Sequence, residues 1–458
     1  MNRIRLSLIL GTVSLPALLA SAGLTPAPLP KMGGPLDVAA YRALLVRQVD
    51  LWNGGPDGQE GLGAYLPGFK GVFNVNLNRD WSQQDTRSVT AVAQARAIYM
   101  NVEAYRASGA PRFLKIIQAG VSELQAHFLD RTRGGYYWEV GTDGTPIDRN
   151  KQGYGNMHVM FALAQAYGVT QDPAYLKAAL MQLGVIEKHF LDPRFPGGVR
   201  PGFNADFTEI AGVNNVDTFT HCFEALLAMH DVTTGAEHAR VQKLVNTAGT
   251  FLVSRLARPE TGHPDRAYVT YNDDQSWNPP TAPYTRGTQW SGAGFATPGH
   301  GIELGYLLSR AVERGYPRTW LETGARLQRF ADAHAIIPAT GGMLHDTSDY
   351  TGQPLEGNPD NNVYIWWAQA ETAREALHRT VVLGEPRWND FQKVQKFVLG
   401  HFLDVQNGGW YQNVDRDSLA VGDTTKGNVW TMNYHETMFY AEVLRLASVY
   451  PRIVAGLR

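Results

Sequence analysis

The sequence predicts an all-α protein in which helical hairpins close into a ring, the architecture known as an α/α barrel. Three observations support this. Apolar residues recur at helical spacing through most of the chain, whereas strand-like alternation is sparse. Loops rich in glycine, proline and aspartate separate the helical segments. A short motif also repeats along the chain, as expected when one structural unit is used several times.

The helical segments are defined by apolar residues three and four positions apart. They span residues 88–107, 112–128, 156–167, 173–190, 218–231, 236–256, 301–314, 317–336, 363–380, 388–402 and 432–448. The longest loop between them covers 258–298.

The repeated motif ends one helix and leads into the next. HFLDRTRGGYYW begins at His127, HFLDPRFPGG at His189 and HFLDVQNGGWYQ at His401. The period is irregular, and the first and last copies are the most alike. Both features favour a closed ring over an open helical solenoid.

Composition limits the classes of function. The 458 residues carry a formal net charge of −2, so there is no basic field for nucleic acid or an anionic membrane. Aromatic residues make up 11% of the chain, including 11 tryptophans. Such rings suit a carbohydrate cleft, where they stack on sugar faces, although large helical proteins also bury many aromatics.

The N-terminus has the pattern of a secretory signal peptide, which we place at residues 1–22. Arg3 and Arg5 precede an apolar stretch, and Ala20-Ser21-Ala22 has the small residues of a cleavage site. We therefore expect an exported protein, periplasmic or extracellular. No stretch is long and apolar enough to predict a membrane span.

Residues 23–458 are predicted to form a single barrel domain behind a proline-rich leader. Cys222 is the only cysteine, which excludes an intrachain disulfide. The sequence leaves the oligomeric state open between a monomer and a homodimer.

TPGHGIELGYLL, which begins at Thr297, carries the first candidate catalytic pair. His300 and Glu303 are three residues apart and share one face of a predicted helix. Pro298 is typical of a first helical turn, so the histidine would lie near the helix N-terminus. The helix dipole disfavours imidazolium there, which suits a neutral ring that acts as a base. A structural hydrogen-bonded pair is the alternative.

Further polar residues fall on apolar helix faces. Arg96 lies on the buried stripe of its helix, either in an ion pair or as a clamp for substrate oxygens. His221 has a glutamate three residues later, as His300 does, and His435 shares a face with apolar neighbours. For His158, among apolar residues, we favour a structural role.

Three tryptophans are candidates for stacking on a sugar: Trp366, Trp367 and Trp430. Inward histidines, an inward arginine and tryptophans from different hairpins suit proton transfer at a carbon next to a carbonyl. One histidine would remove the proton and a second would return it, while the arginine stabilises the enediolate oxygen.

The motifs Q-x-R, H-x-x-E-A, P-G-H-x-I-E, W-W-x-Q-A-E, G-G-W-Y and W-x-x-x-Y-H occur in this order from about Arg87 to Leu446. In this order the sequence resembles the N-acylglucosamine 2-epimerase family, which includes cellobiose 2-epimerases and mannose isomerases. The resemblance implies an (α/α)6 barrel that epimerises or isomerises reducing-end sugars without a redox cofactor.

The resemblance also implies site residues. His300 and His435 match the two acid/base histidines, and Arg96 matches the arginine near C1 and C2 of the sugar. His221 matches a substrate-site histidine, and Glu303 matches a carboxylate that positions the P-G-H histidine. Trp366 or Trp367, and Trp430, match the stacking tryptophans.

The sequence departs from the family pattern at several positions. Phe219 stands where a first histidine is usual, and Met438 stands where an arginine often follows the last histidine. Thr431 and Asn433 replace the lysine and proline of the usual W-K-x-P-Y-H, and no lysine precedes the two tryptophans.

We therefore predict a sugar 2-epimerase or an aldose–ketose isomerase that binds a small reducing-end sugar and needs neither a cofactor nor a metal. Two alternatives remain at this point. One is a glycoside hydrolase or lyase that uses carboxylates such as Asp217, Asp273 or Asp274. The other is an exported sugar-binding protein without activity.

Overall fold

The computed structural model describes residues 29–30, 32–34, 36–55, 63–64, 73–85, 88–208, 214–257, 295–345, 348–349, 362–428 and 430–457. The predicted signal peptide and the carboxylates Asp273 and Asp274 lie outside these residues. In the described part of the chain, no helix has the length and apolar character needed to cross a membrane.

Six helices form the inner layer of a barrel. They are α2 (Ala91–Ser108), α4 (Gly153–Thr170), α6 (Val216–Val232), α8 (Pro298–Glu313), α10 (Trp366–Val382) and α12 (Tyr434–Val449). Each packs against the next, and α12 packs against α2, which closes the ring. The predicted (α/α)6 barrel is confirmed.

Six further helices form the outer layer. They are α1 (Val38–Trp52), α3 (Pro111–Glu123), α5 (Pro173–Val185), α7 (Gly235–Phe251), α9 (Trp320–His334) and α11 (Trp388–Phe397). The outer helices α3, α5, α7, α9 and α11 each pack on the inner helix that precedes them in the chain. Helix α1 packs on α12. A short α13, Pro451–Gly456, ends the described chain.

The two layers follow from different apolar patterns. The outer helix α3 buries only Phe113, Ile117, Gly120 and Val121, a stripe at helical spacing. The inner helix α4 is surrounded by other helices of the two layers and by the lumen. It therefore buries 12 of its 18 residues.

Short antiparallel strands lead into the inner helices at one mouth of the barrel. β1 (Ser88–Thr90), β2 (Glu139–Gly141) and β3 (Pro146–Asp148) form a three-stranded sheet, with Val89 opposite Val140. The other pairs are β4 (Lys151–Gln152) with β5 (Gly202–Phe203), β6 (Phe295–Ala296) with β7 (Ser348–Asp349), and β8 (Val363–Ile365) with β9 (Asn413–Asp415).

These strands correct two predicted helix boundaries. The predicted helices 88–107 and 363–380 each began three residues early, because β1 and β8 occupy those positions. Helix α1 was not among the predicted segments. Thr90 and Asn215 begin α2 and α6 by accepting hydrogen bonds from backbone amides three residues later.

The repeated motif has the same local structure in each copy. The outer helices α3, α5 and α11 each continue into a π-helical turn: Leu124–Phe128, Ile186–Phe190 and Val398–Phe402. A fourth π-helical turn, Leu252–Leu256, follows α7. In each copy, the leucine of the motif forms an isolated antiparallel β-bridge with a residue seven or eight positions later. These residues are Tyr136, Val199 and Trp410. The predicted repeat is therefore a structural one.

Candidate active site

Five inner helices place a polar side chain at their sixth residue. In helix order these are Arg96, His158, His221, Glu303 and Glu371. Each inner helix is followed by an outer helix that returns to the starting end, so the inner helices run in one direction. Their sixth residues therefore lie at one level of the lumen, and all five are buried. We call this set the polar ring.

His435, the second residue of α12, is held by the polar ring. Its Nδ1 lies 2.8 Å from Oε1 of Glu371, whose other oxygen pairs with Arg374. Burial, with the charges of Arg96 and Arg374, lowers the pKa of His435 well below its usual value. A neutral ring that donates Nδ1–H to Glu371 keeps a lone pair on Nε2, as a general base requires.

His300, the third residue of α8, contacts the same tryptophan ring as His435. Its Nε2 is 3.1 Å from Oδ1 of Asp217, the second residue of α6. Its Nδ1 is buried and has no hydrogen-bond partner among the described residues. Trp367 lies between the two histidines, with ring centroids 4.7 Å from His300 and 5.6 Å from His435.

The expected role of Glu303 needs correction. Both of its oxygens are buried without a hydrogen-bond partner in the described structure, so it does not position His300. Asp217 takes that place, because its carboxylate is the one that reaches the His300 ring.

Glu303 instead lies beside Glu371. Burial and the charge of Glu371 raise the pKa of Glu303 well above its usual value. Burial also raises the pKa of Glu371, but Arg374 opposes that shift and His435 donates to the carboxylate. We therefore assign the proton to Glu303 and the negative charge to Glu371. A protonated Glu303 can donate a hydrogen bond.

A divalent cation is the alternative way to satisfy these carboxyl groups. Ligand atoms of Glu303, Glu371 and His435 lie within 4.8 Å of one another. However, Arg374 already pairs with Glu371, and Arg96 adds a second positive charge that acts on His435. Both guanidinium groups repel a cation at this position.

Arg96 is buried and directed into the lumen. Its Nη2 donates to the Tyr154 hydroxyl at 2.6 Å, its Nη1 to the backbone carbonyl of Trp430, and its Nε to His158 at 3.3 Å. Three of its five N–H groups are engaged in this way, and two remain for a substrate oxygen.

The rings of His221 and His158 are in contact in the polar ring, with centroids 4.2 Å apart and their planes tilted by 43°. Nδ1 of His221 is 3.1 Å from Glu224, which also accepts from the Tyr434 hydroxyl. Burial lowers the pKa of both histidines well below the usual value. They are neutral, and the polar ring places His158 beside residues predicted to bind substrate, although the sequence favoured a structural role for it.

The predicted stacking tryptophans differ in position. Trp430 is 48% exposed, and its ring lies near those of Trp138 and Tyr154. Trp367 packs between His300 and His435. Trp366 is buried, and its ring contacts none of the other site rings in the described part of the chain. The structure thus brings Trp367 and Trp430 to the site, and of the two adjacent tryptophans Trp367 is the one that contacts the histidines.

The departures from the family pattern have structural roles. Phe219 packs on Phe251 of α7, away from the lumen. Thr431 donates to Gln412, and Asn433, in a left-handed conformation, accepts from Gln48. Arg374 donates to the sulfur of Met438 at 2.9 Å. The guanidinium beside His435 therefore comes from α10.

Sequence reasoning missed Glu371, Arg374 and the contact of Asp217 with His300. The signal for Glu371 was its position at the end of W-W-x-Q-A-E, and Arg374 follows on the same helix face three residues later. Asp217 was considered only as a hydrolytic carboxylate.

The chain is similar to known sugar epimerases and isomerases. The family model described as N-acylglucosamine 2-epimerase matches residues 71–438. Cellobiose 2-epimerase of Bacteroides fragilis is 24% identical over 77% of this chain and 87% of its own length. D-mannose isomerase of Pseudomonas cannabina is 24% identical over 76% and 82%. A crystal structure of a D-mannose isomerase superposes with a TM-score of 0.76 at 20% identity, covering 91% of this chain and all of the other.

Proposed function

Since the chain belongs to the N-acylglucosamine 2-epimerase family, we propose that it moves a proton at C2 of a reducing-end sugar. The product is either the 2-epimer or the corresponding ketose. The relatives named cellobiose 2-epimerase and D-mannose isomerase support both outcomes.

The observation that carries this proposal is the arrangement of two histidines around Trp367. His435 and His300 contact this ring from different helices, and each has its own carboxylate partner. Two independently oriented imidazoles are what proton removal and proton return from different directions require.

The mechanism follows from these contacts. In the open-chain aldose, Nε2 of His435 takes the proton from C2, and the electron pair forms the C1–C2 double bond of an enediolate. The free N–H groups of Arg96 and the O–H of Glu303 can stabilise the developing charge on oxygen. His300 then returns a proton to the opposite face of C2, which restores the C1 carbonyl and gives the epimer. Alternatively, a proton goes to C1 while the hydroxyl proton of O2 moves to O1, which gives the ketose.

This chemistry rearranges one substrate into an isomer, so no net electrons are exchanged. The proposed reaction therefore needs neither a redox cofactor nor a metal. Treatment with EDTA followed by desalting is expected to leave the rate unchanged, which tests the cation alternative at Glu303, Glu371 and His435 directly.

The proposal is tested by proton NMR of the purified mature protein with reducing sugars in D2O. The panel contains mannose, glucose, N-acetylglucosamine, N-acetylmannosamine and cellobiose. Deuterium at C2 supports enediolate chemistry, and the products distinguish epimerase from isomerase. Absence of exchange with every sugar would contradict the proposal.

The same samples separate the two alternatives. Hydrolysis of an oligosaccharide without exchange at C2 would favour a glycosidase, and saturable sugar binding without exchange would favour a binding protein. Asp217 contacts His300, which reduces its availability as a hydrolytic carboxylate.

The variant Glu371→Gln is expected to reduce kcat at least about 10-fold, because His435 loses the carboxylate that orients it. The acid limb of the pH–rate profile lies below pH about 6.5, since the lowered pKa keeps His435 neutral above that value. Removing the negative charge disfavours imidazolium further, so this limb should move to lower pH in the variant. A shift to higher pH would contradict the assigned pair.

The variant Trp430→Ala is expected to raise KM about 5- to 10-fold with little change in kcat, because an exposed ring at the barrel mouth contributes stacking to bound substrate. Trp388→Ala, on the outer helix α11, is the matched control. Steady-state kinetics of both variants measure the difference, and equal effects would remove Trp430 from the substrate site.

We also propose that the protein is exported, on the pattern of residues 1–22. The measurement is N-terminal sequencing of the protein expressed from the full-length gene. A mature N-terminus near Gly23 in the exported fraction is expected, and an intact Met1 in the cytosol would contradict export.

A further inference from the structure

Behind the polar ring, a second set of inner-helix residues closes the lumen. The ninth residues of α2, α4, α6, α8 and α10 are Tyr99, Phe161, Glu224, Tyr306 and Arg374. We call this set the partition. Its members are buried and contact one another: the Tyr99 and Phe161 rings are 4.8 Å apart, and Arg374 lies 4.1 Å from the Tyr306 ring.

On the far side of the partition is a cavity of about 560 Å³, which we call the rear chamber. The partition residues line it, together with side chains from the last turns of the inner helices. The rear chamber thus lies at the opposite end of the barrel from His300 and His435. Its volume is in the range of small-molecule binding sites.

The rear chamber is rich in arginine. Six arginines line it: Arg42, Arg106, Arg310, Arg314, Arg374 and Arg445. Only four acidic residues do so: Glu103, Glu224, Asp231 and Glu442. Burial raises the pKa of Glu224 above its usual value. The lining therefore has an excess of positive charge.

The ion pairs of the lining leave three arginines without an acidic partner inside the chamber. Glu103, Asp231 and Glu442 pair with Arg106, Arg314 and Arg445. Arg42 donates to the carbonyl of Ala107, and Arg310 reaches Glu313, which is outside the lining. Arg374 pairs with Glu371 on the catalytic side of the partition.

Two of these three arginines are shielded from solvent and have N–H groups available as hydrogen-bond donors. The side chain of Arg374 is 3% exposed, and its buried Nε has no hydrogen-bond acceptor among the described residues. Arg310 is 16% exposed and uses only Nη1 for Glu313. A buried guanidinium N–H without an acceptor is costly, and an oxyanion matches its geometry.

We propose that the rear chamber is a second binding site, for a small molecule that carries a phosphate or carboxylate group. The guanidinium groups of Arg310 and Arg374 contact that group, and Arg42 lies at the rim. The occupant is chemically distinct from the neutral sugar of the catalytic mouth.

This site is linked to catalysis through Arg374, a link that rests on the proposed function. An anion beside Arg374 competes with Glu371 for the guanidinium. Glu371 then holds its negative charge less well and becomes a weaker acceptor for Nδ1 of His435. Binding in the rear chamber is therefore expected to lower kcat without competing with sugar.

The test is isothermal titration of the full-length mature protein with inorganic phosphate and, separately, with citrate, at ionic strength held constant with NaCl. Saturable binding of one equivalent of either probe supports the site, and the preferred probe identifies the charged group. Arg310→Gln is expected to weaken this binding at least about 10-fold, as does Arg42→Gln if the first variant fails to fold. Arg416→Gln, an exposed arginine outside the chamber, is the matched control.

Absence of saturable binding of both probes, or equal binding by wild type and the chamber variants, would overturn the proposal. These titrations contain no sugar, so they stand apart from the exchange assay. Binding without C2 exchange by the wild type would contradict the proposed activity alone, whereas exchange without anion binding would contradict the rear-chamber site alone.

Discussion

His435→Asn is expected to lower the rate of deuterium incorporation at C2 by about 10²- to 10⁴-fold, with the fold intact. Asparagine is close to the imidazole in size and can still donate to Glu371, but it has no base at the position of Nε2. Proton removal then depends on water, while sugar binding by Arg96 and Trp430 is retained. The expected signature is a loss in kcat with little change in KM.

The control for this variant is His334→Asn, at the C-terminal end of the outer helix α9. It makes the same chemical change away from the lumen and should leave exchange unaffected. Circular dichroism and thermal unfolding of both variants check that the barrel is folded. A His435→Asn protein with a wild-type exchange rate would remove this residue from the chemistry and, with it, the proposed mechanism.

A second comparison tests whether His300, like His435, acts as an acid–base group. Because His300 is assigned to proton return and His435 to removal in one direction, the roles exchange when the sugar is the other epimer. His300→Asn should therefore impair both directions as well, and each variant should retain binding of a slowly reacting sugar. Loss of binding in either variant would indicate a substrate contact in place of acid–base chemistry.

The sequence predicted the barrel because apolar residues recur at helical spacing through most of the chain and one motif repeats along it. Helix α3 shows the narrow stripe of an outer helix, and α4 the continuous apolar run of an inner one. The boundaries were less predictable where strands precede helices. Val363-Tyr364-Ile365 is apolar enough to continue the helix that follows, but it pairs with β9 and is therefore a strand.

The site was predictable in its histidines and not in their partners. His300 and His435 stand in local motifs, whereas Asp217 and Glu371 reach them from other helices through the closure of the ring. The family resemblance implied that Glu303 would position His300, and the two residues are three positions apart on one helix. In the lumen, the carboxylate partner of each histidine lies on another inner helix. For this reason a pairing within one helix did not identify the partner of His300.

Asp404→Ala is expected to lower the free energy of unfolding by about 3–5 kcal/mol, because it leaves a buried cation without its partner. Asp404 belongs to the third copy of the repeated motif and is fully buried. It accepts from Nζ of Lys426 at 2.9 Å, from Arg79 at 2.9 Å and from the backbone amides of Gln406 and Asn407. Lys426 is itself buried, so water cannot replace the lost carboxylate as the partner of its ammonium group.

The pH dependence of stability has a defined sign at this position. Burial alone would raise the pKa of Asp404, but the hydrogen bonds from Arg79 and Lys426 outweigh it and hold the pKa well below its usual value. The folded carboxylate thus binds a proton less readily than the unfolded one. Its stabilisation is complete above pH about 4 and is lost as the pH falls toward the folded pKa. The Asp404→Ala variant should lack this part of the acid transition.

The motif supplies a matched control in its second copy. Asp192 is as buried as Asp404 and also accepts backbone N–H, but its charged partner, Arg194, has a side chain that is 49% exposed. Asp192→Ala therefore leaves no buried cation behind, and we expect a loss of about 1–2 kcal/mol. Urea unfolding of both variants measures the difference. Equal losses would show that the turn geometry, and not the buried Asp404–Lys426 pair, accounts for the stability that the motif provides.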